Sequence, residues 1–351
     1  MKNRVNLAIH KCVNTLSKFG TCDKCFTSCP TDAIQKIEGN SIPSLSQFDC
    51  IECGVCISSC PTEALIVPNF SPLEFIFKSL DKKDDVILDC KTDIPCLASL
   101  SVEYLTSLVV LKGENIYANF GHCLSCDIFA KVGKQIDSQI QESNFFLETL
   151  DIKNRVVLQN ISKEEKDEVE KKPDLKRRSI FDTSIFKRDM RVFESKELAK
   201  AKNKGIPDSR KLLLMAMKRV ENRKNSHILH SEDISFISQK VVDETCTNCQ
   251  VCYRVCPSSA LSSDYKSSFI KFDSTLCLKC HLCHDVCETS SIKIREDFSL
   301  QTFLDSSSEK LIEFNISKCY ECDSFYTKIG DSNLCRRCEI EENEAKELWG
   351  F

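Results

Sequence analysis

The side chains best suited to chemistry are the cysteines gathered between Cys246 and Cys287. The segment reads CTNCQVCYRVCP from Cys246 and CLKCHLCHDVC from Cys277, and twenty residues separate Cys256 from Cys277. Each run places three cysteines two residues apart and a fourth three residues further on. Three thiolates at this spacing can bind one face of an iron–sulfur cubane, while the fourth points away and reaches a neighbouring cluster. The two runs therefore predict a pair of [4Fe–4S] clusters.

The fourth cysteine of each run is expected to complete the other run's cluster. The motif resembles the bacterial two-cluster ferredoxins, which implies their fold and an electron-transfer role. Structural zinc is the weaker alternative, because zinc sites favour cysteine pairs separated by a longer loop. Glu288 follows Cys287 where the family has proline, which predicts a changed turn and a more polar edge there. One cluster takes Cys246, Cys249, Cys252 and Cys287, and the other takes Cys277, Cys280, Cys283 and Cys256.

Residues 1–67 carry a second copy of this motif, CDKCFTSCP from Cys22 and CIECGVCISSCP from Cys50. Seven of its cysteines lie 227 residues before their counterparts in the later copy, which indicates an internal repeat of one ferredoxin unit. One of the two clusters in this copy is expected to bind Cys50, Cys53, Cys56 and Cys29.

The other cluster lacks its eighth ligand at the expected place, because Cys246 corresponds to Phe19. Cys12 lies upstream and is predicted to close this cluster together with Cys22, Cys25 and Cys60. The alternative is a three-iron or absent cluster, with Cys12 an ordinary core thiol.

Residues 71–160 predict a small α/β domain with a parallel sheet. Its expected elements are a strand at VILDC from Val86, a long helix from Ile94, a strand from Asn115 and a helix over 127–142. The IPC and GHC turns after the two strands resemble the iron–sulfur delta subunit of methyl-viologen-reducing hydrogenases. The predicted site is a [2Fe–2S] or zinc centre, with a redox-active Cys123–Cys126 thiol pair or plain buried thiols as alternatives. The cysteines concerned are Cys90, Cys96, Cys123 and Cys126.

The rest of the chain divides by composition. Residues 161–205 are dense in both charges and predict a helical linker. A helix is expected to start near Pro207 and to open the second ferredoxin-like domain, residues 206–300. Residues 310–351 carry two C-x-x-C pairs twelve residues apart, which predict a zinc-ribbon-like knuckle, with rubredoxin-like iron as the alternative. Its ligands are Cys319, Cys322, Cys335 and Cys338.

Composition narrows the class of protein. The net charge of −4 gives no pull toward nucleic acid, and no apolar run reaches membrane-spanning length. The nine glycines form neither a dinucleotide-binding loop nor a P-loop. The 24 cysteines are clustered as C-x-x-C, and the N-terminus does not resemble a signal peptide, so we expect a reducing cytoplasm rather than disulfides.

Together these features predict an α+β multidomain protein with two ferredoxin-like units, an α/β domain between them and a C-terminal knuckle. The expected function is a relay of single electrons through about four [4Fe–4S] clusters to or from a partner oxidoreductase. Polyferredoxins and the ferredoxin-like accessory subunits of hydrogenases and molybdenum enzymes are similar. The alternatives are an assembly, maturation or redox-sensing partner of a metalloenzyme, and a dithiol enzyme using Cys123 and Cys126.

Overall fold

The computed structural model describes residues 4–37, 40–161, 204–220, 227–328 and 330–350. Apart from its two ends, the predicted linker at 161–205 lies outside these residues.

The first ferredoxin unit is built from short elements separated by the cysteine runs. The terminal strands β1 and β4 pair antiparallel, and β2 and β3 form a hairpin. A short helix follows the start of each run. The elements are β1 (Asn6–Leu7), α1 (Val13–Leu16), α2 (Lys24–Ser28), β2 (Ile34–Ile37), β3 (Asn40–Leu45), α3 (Val55–Ser59) and β4 (Leu65–Ile66).

The middle domain has the parallel α/β order expected from its sequence. Strand β6 lies between β5 and β7 and pairs with both in parallel register, within the described residues. The long helix begins at Val102 rather than Ile94, because Ser101 caps it and residues 97–99 form a separate 3-10 turn. The elements are α4 (Pro72–Asp81), β5 (Ile87–Leu88), α5 (Val102–Lys112), β6 (Ile116–Asn119), α6 (Phe129–Thr149) and β7 (Val156–Gln159).

Strand β7 was not predicted. Its sequence, VVLQ, is short and directly precedes a highly charged stretch, so it gives a weak local signal. The long α6 carries the chain back across the sheet and places β7 beside β6, and this parallel pairing stabilises the strand.

The second ferredoxin unit repeats the first with additions. Strands β9 and β12 pair as β1 and β4 do, and the β10–β11 hairpin gains a third strand, β14. Strands β8 and β13 form a further antiparallel pair. The elements are α7 (Asp208–Met217), β8 (Ile228–His230), β9 (Lys240–Val242), α8 (Val251–Val255), β10 (Leu261–Ser262), β11 (Phe269–Asp273), α9 (Leu282–Asp285), β12 (Ile292–Ile294), β13 (Asp297–Ser299), α10 (Leu300–Leu304) and β14 (Ser308–Glu313).

Helix α7 joins the second unit to the α/β domain. Its apolar face, including Leu213 and Met217, lies in one buried cluster with Phe146 of α6 and with Phe236 and Phe303. Within the described residues this face is therefore covered inside the chain.

The tail forms a small knuckle followed by a helix. Strands β15 (Ile316–Lys318) and β16 (Phe325–Thr327) pair antiparallel, and α11 (Arg336–Trp349) follows. Among the described residues, no helix has the length and apolar character needed to cross a membrane.

Candidate iron–sulfur and metal centres

The 24 cysteines of the chain fall into six groups of four, which we number by their position in space. Quartet I is in the α/β domain, II and III are in the first ferredoxin unit, IV and V are in the second, and VI is in the tail. The members are Cys90, Cys96, Cys123 and Cys126 (I); Cys29, Cys50, Cys53 and Cys56 (II); Cys12, Cys22, Cys25 and Cys60 (III); Cys256, Cys277, Cys280 and Cys283 (IV); Cys246, Cys249, Cys252 and Cys287 (V); and Cys319, Cys322, Cys335 and Cys338 (VI).

Quartet IV lines one small cavity of the second unit, walled by Leu261, Phe272 and Leu282. Burial raises the pKa of Cys280 to about 12, and the charges of the neighbouring cysteines add to this effect. Four thiolates held together in an apolar cavity repel one another unless a cationic core binds them. The donor set and the cavity therefore fit an iron–sulfur cluster.

Three members of quartet V, Cys246, Cys252 and Cys287, lie in the apolar cluster of the second unit, and the fourth, Cys249, is exposed. Burial raises the pKa of Cys252 to about 12, with further contributions from Cys249, Cys246 and Cys287. Burial would also raise the pKa of Cys287, but hydrogen bonds from Ser291, Ile292 and Thr289 together lower it below its ordinary value. The structure thus brings Cys287 near Cys252 of the first run, and Cys256 lines the cavity of the second run.

The turn after Cys287 keeps the geometry of the other runs, despite Glu288. Asp32, Glu63, Ser259 and Ser290 each lie three residues after a fourth cysteine, with φ of 56°, 49°, 60° and 52°. The prediction of a changed turn was wrong, because the conformation that proline favours here is open to other residues as well. Residues 288–290 are exposed, so the edge is polar as expected.

A hydroxyl two residues after each fourth cysteine was missed by the sequence reasoning. Thr62 Oγ1 lies 3.6 Å from Cys60 Sγ, and Thr289 Oγ1 lies 3.7 Å from Cys287 Sγ. Thr31 and Ser258 stand in the same relation to Cys29 and Cys256, at 3.8 Å each. The signal was visible in the sequence as cysteine, any residue, then Thr or Ser. Hydrogen bonds to cluster sulfurs tune the reduction potential.

Quartet II lines a cavity of the first unit together with Val5 and Val67. Burial raises the pKa of Cys56, and the charges of Cys53, Cys29 and Cys50 raise it further. The cavities of quartets II and IV therefore lie at equivalent positions in the two units, and in both of them burial raises the pKa of a cysteine.

Cys12 lies in the same cavity as the other members of quartet III. Burial raises the pKa of Cys12 to about 11, with added repulsion from Cys60 and Cys22. Phe19, which stands at the position of the missing ligand, is 55% exposed. The structure thus brings Cys12 to the place that the sequence reasoning assigned to it.

An insertion carries Cys12 to this place. Fourteen residues separate Leu7 from Cys22, whereas six separate the equivalent Val242 from Cys249. Asn14 fixes the inserted loop: its Nδ2 donates to the carbonyls of Cys22 (2.8 Å) and Ser41 (2.7 Å), and its Oδ1 accepts from the Cys22 amide.

Quartet I gathers after the ends of β5 and β6. Cys96 and Cys123 are buried, Cys90 is half-buried and Cys126 is exposed. Burial raises the pKa of Cys96 to about 12 and that of Cys123 to about 11. A reactive dithiol needs a lowered thiol pKa, so the environment of Cys123 does not favour the dithiol alternative.

Quartet VI is the tightest group. Its four sulfurs lie within 4.8 Å of one another, and no other such group of His, Cys, Asp or Glu ligands occurs among the described residues. The Cys335 amide donates to Cys319 Sγ at 3.2 Å. Desolvation alone would raise the pKa of Cys319. Hydrogen bonds from the amides of Cys322, Cys335 and Glu321 outweigh this effect and lower the pKa to about 6. This arrangement can hold one tetrahedral metal ion.

The quartets form a continuous series of neighbours. Cys96 of quartet I is within electrostatic reach of Cys53 of quartet II, and a Cβ on Gly54 would meet Ser99 Cβ at 3.1 Å. Members of quartets II and III share one apolar cluster, and members of quartets IV and V share another.

Contacts at two boundaries, between the two ferredoxin units and between the second unit and the knuckle, extend the series. The amide and hydroxyl of Thr21, beside quartet III, both donate to Asp285, each at 2.9 Å, and Val13 packs with Leu282. Asn248, beside quartet V, donates to Thr327 Oγ1 of the knuckle at 2.9 Å.

Cysteine quartets, two to each repeated unit and three of them lining small cavities, define a class of protein that holds iron–sulfur clusters and transfers electrons. Comparison with known protein families supports the same class. The family model of the 4Fe–4S dicluster domain matches residues 20–65, and a second model with the same description matches residues 239–288. The chain is therefore an iron–sulfur electron-transfer protein with a duplicated, ferredoxin-like 4Fe–4S domain.

The comparisons leave other parts of the chain without assignment. No curated protein matches the sequence. The matched residues include neither Cys12 nor the α/β domain, so the resemblance to the hydrogenase delta subunit remains a prediction.

Proposed function

We propose that the protein relays single electrons between two redox partners through four [4Fe–4S] clusters, held by quartets II, III, IV and V. The continuous series of neighbouring quartets is the observation that carries this proposal. A [4Fe–4S] cluster, when bound, supplies one-electron transfer at a potential set by its surroundings. The chain's own residues hold the clusters dry and adjacent.

Quartets I and VI stand at the two ends of this series. Quartet I is expected to bind a further iron–sulfur cluster in preference to a single zinc ion, because its sulfurs are less tightly gathered than those of quartet VI. Quartet VI is expected to bind zinc, since its paired C-x-x-C knuckles suit a closed tetrahedral site. Electrons would then enter or leave on the quartet I side, and the knuckle would be structural.

Anaerobic purification with iron, sulfide and zinc analysis tests the proposal. Four clusters contribute about sixteen iron and sixteen sulfide per chain, quartet I adds iron beyond this, and one zinc remains. An EPR-monitored titration should show clusters that accept one electron each. Fewer than three clusters, or clusters that no low-potential donor reduces, would contradict the relay and leave the structural or redox-sensing alternative.

Two variants distinguish the roles proposed for quartets I and VI. Cys123→Ser should lower the rate of electron transfer to a partner while the four ferredoxin clusters still form and reduce. Cys335→Ser should remove zinc without changing this rate. If Cys335→Ser slows the transfer as much as Cys123→Ser does, the assignment of the two ends is wrong.

A further inference from the structure

Lys240 is a buried cation in the wall of the quartet IV cavity. It is 1% exposed, and it lines the same cavity as Cys256, Cys277, Cys280 and Cys283. Strand β9 holds it in place, since Lys240 is paired with Ile294 of β12. A charged ammonium at such a depth is costly unless an opposite charge or a hydrogen-bonding partner lies near.

The polar partner of Lys240 in the described part of the chain is a ring nitrogen. Lys240 Nζ lies 3.0 Å from His284 Nε2, and no described carboxylate forms an ion pair with it. Lys240 acts electrostatically on Cys283 and Cys280, both members of quartet IV. The thiolates and the cluster they bind are thus the negative charge that faces the ammonium.

Two other cations near quartet IV are engaged elsewhere. Arg210 Nη1 donates to the Cys277 carbonyl at 2.7 Å, but Glu103 pairs with the guanidinium and offsets its charge. Lys279 also lines this cavity, but its Nζ donates to the carbonyls of Ser231 and Ile234, and the Glu142 carboxylate acts on it electrostatically. Lys240 therefore contributes to this wall a buried positive charge that no described ion pair offsets.

The first unit provides a matched site without the cation. Leu7 pairs with Leu65 as Val242 pairs with Ile292, so two residues further back along the strand Val5 takes the place of Lys240. Val5 is also 1% exposed, and it lines the quartet II cavity. At this position the two walls thus present a methyl-bearing side chain in one unit and an ammonium in the other. They also differ at Glu52, which corresponds to Lys279, and at Gly54, which corresponds to His281.

We infer that Lys240 raises the reduction potential of the quartet IV cluster, so that among the four ferredoxin clusters this one accepts an electron first. Reduction adds a negative charge to the cluster, and a buried cation stabilises the reduced form more than the oxidised form. The inference rests on the proposed binding of clusters by quartets II to V. It gives the relay an electron sink in the middle of the series rather than at an end.

An EPR-monitored redox titration of Lys240→Met tests the inference. The highest midpoint potential should fall while the other midpoints and the iron content stay unchanged. The cluster is assigned with Cys280→Ser, which alters the spectrum of the quartet IV cluster. Lys293→Met is the matched control, because Lys293 lies on the paired strand but is exposed and bridged to Asp243. Its shift should be several-fold smaller.

Charge and side-chain shape are separated by Lys240→Arg and Lys240→Gln. The arginine variant should keep the potential near that of the native protein, and the glutamine variant should lower it, even if Lys240→Met loses iron. Unchanged potentials in the neutral variants, or an equal fall in the arginine variant, overturn the inference and leave the relay intact. Absence of the clusters from the native protein would instead overturn the proposed function.

Discussion

The two ferredoxin units share a cysteine register of 227 residues but differ around their clusters. The first unit has lost one ligand position to Phe19 and recovers a thiol through the inserted loop that carries Cys12. The second keeps all eight cysteines in register and adds Lys240, β14 and the bridging helix α7. A cluster site can thus be preserved while its ligand source and its electrostatic environment diverge.

The backbone conformation within the cysteine runs also differs between the two units. Among the described residues, a left-handed residue stands between successive cysteines at Glu52, Asn248 and Lys279. In the first run the equivalent residue, Thr21, is not left-handed, and Asp23, which corresponds to the left-handed Gln250, has φ of −122°. The run that lacks its leading cysteine has also lost the turn that brings this cysteine to the cluster.

The largest expected effect is the loss of a cluster from the first unit when Cys12 is replaced. Cys12→Ser should remove or destabilise the quartet III cluster, with a loss of about a quarter of the ferredoxin iron, because three thiolates hold a cubane poorly. Iron and sulfide analysis with EPR provides the measurement. Phe19→Ala is the matched control and should retain all clusters, since this side chain is exposed. Full cluster content in Cys12→Ser would show that Cys12 is not a ligand.

The next effect concerns Arg210 of α7, which joins the second ferredoxin unit to α5 of the α/β domain. Its fully buried guanidinium pairs with Glu103 and donates to the carbonyls of Thr275, Cys277 and Phe236. Arg210→Met should lower the free energy of unfolding by about 3–5 kcal/mol, because Glu103 keeps a buried charge without its partner.

Denaturant titration under anaerobic conditions measures this change. The exposed neighbour Lys211 provides the control, and Lys211→Met should stay within about 0.5 kcal/mol of the native protein. Equal midpoints for the two variants would show that the Arg210 network does not hold the second unit in place.

The smallest expected effect comes from placing a proline after Cys287. Glu288→Pro recreates the proline found after the other fourth cysteines. It should change the free energy of unfolding by no more than about 0.5 kcal/mol, because the turn already has the shared conformation. Denaturant titration and the midpoint of the quartet V cluster provide the readouts. A clear stabilisation would indicate that Glu288 strains the turn.

Much of the molecule could be predicted from the sequence, because its signals are local. The spacing of each run fixes which thiolates can meet, and the strand and helix patterns of the α/β domain indicated a parallel sheet. Strand β7 escaped prediction because four residues give little signal until β6 lies beside them. The hydroxyls after each fourth cysteine were readable, but only their distances to sulfur gave them a meaning.

The sequence by itself determined that this protein has a duplicated iron–sulfur domain, since covalent spacing limits which thiolates can share a cluster. The tertiary structure decided which quartets are neighbours and what lies between them. It placed Cys12 beside Cys60, covered α7 with the α/β domain, and set Lys240 against one cluster where Val5 faces another. These features depend on contacts between residues far apart in the chain, which local spacing cannot encode.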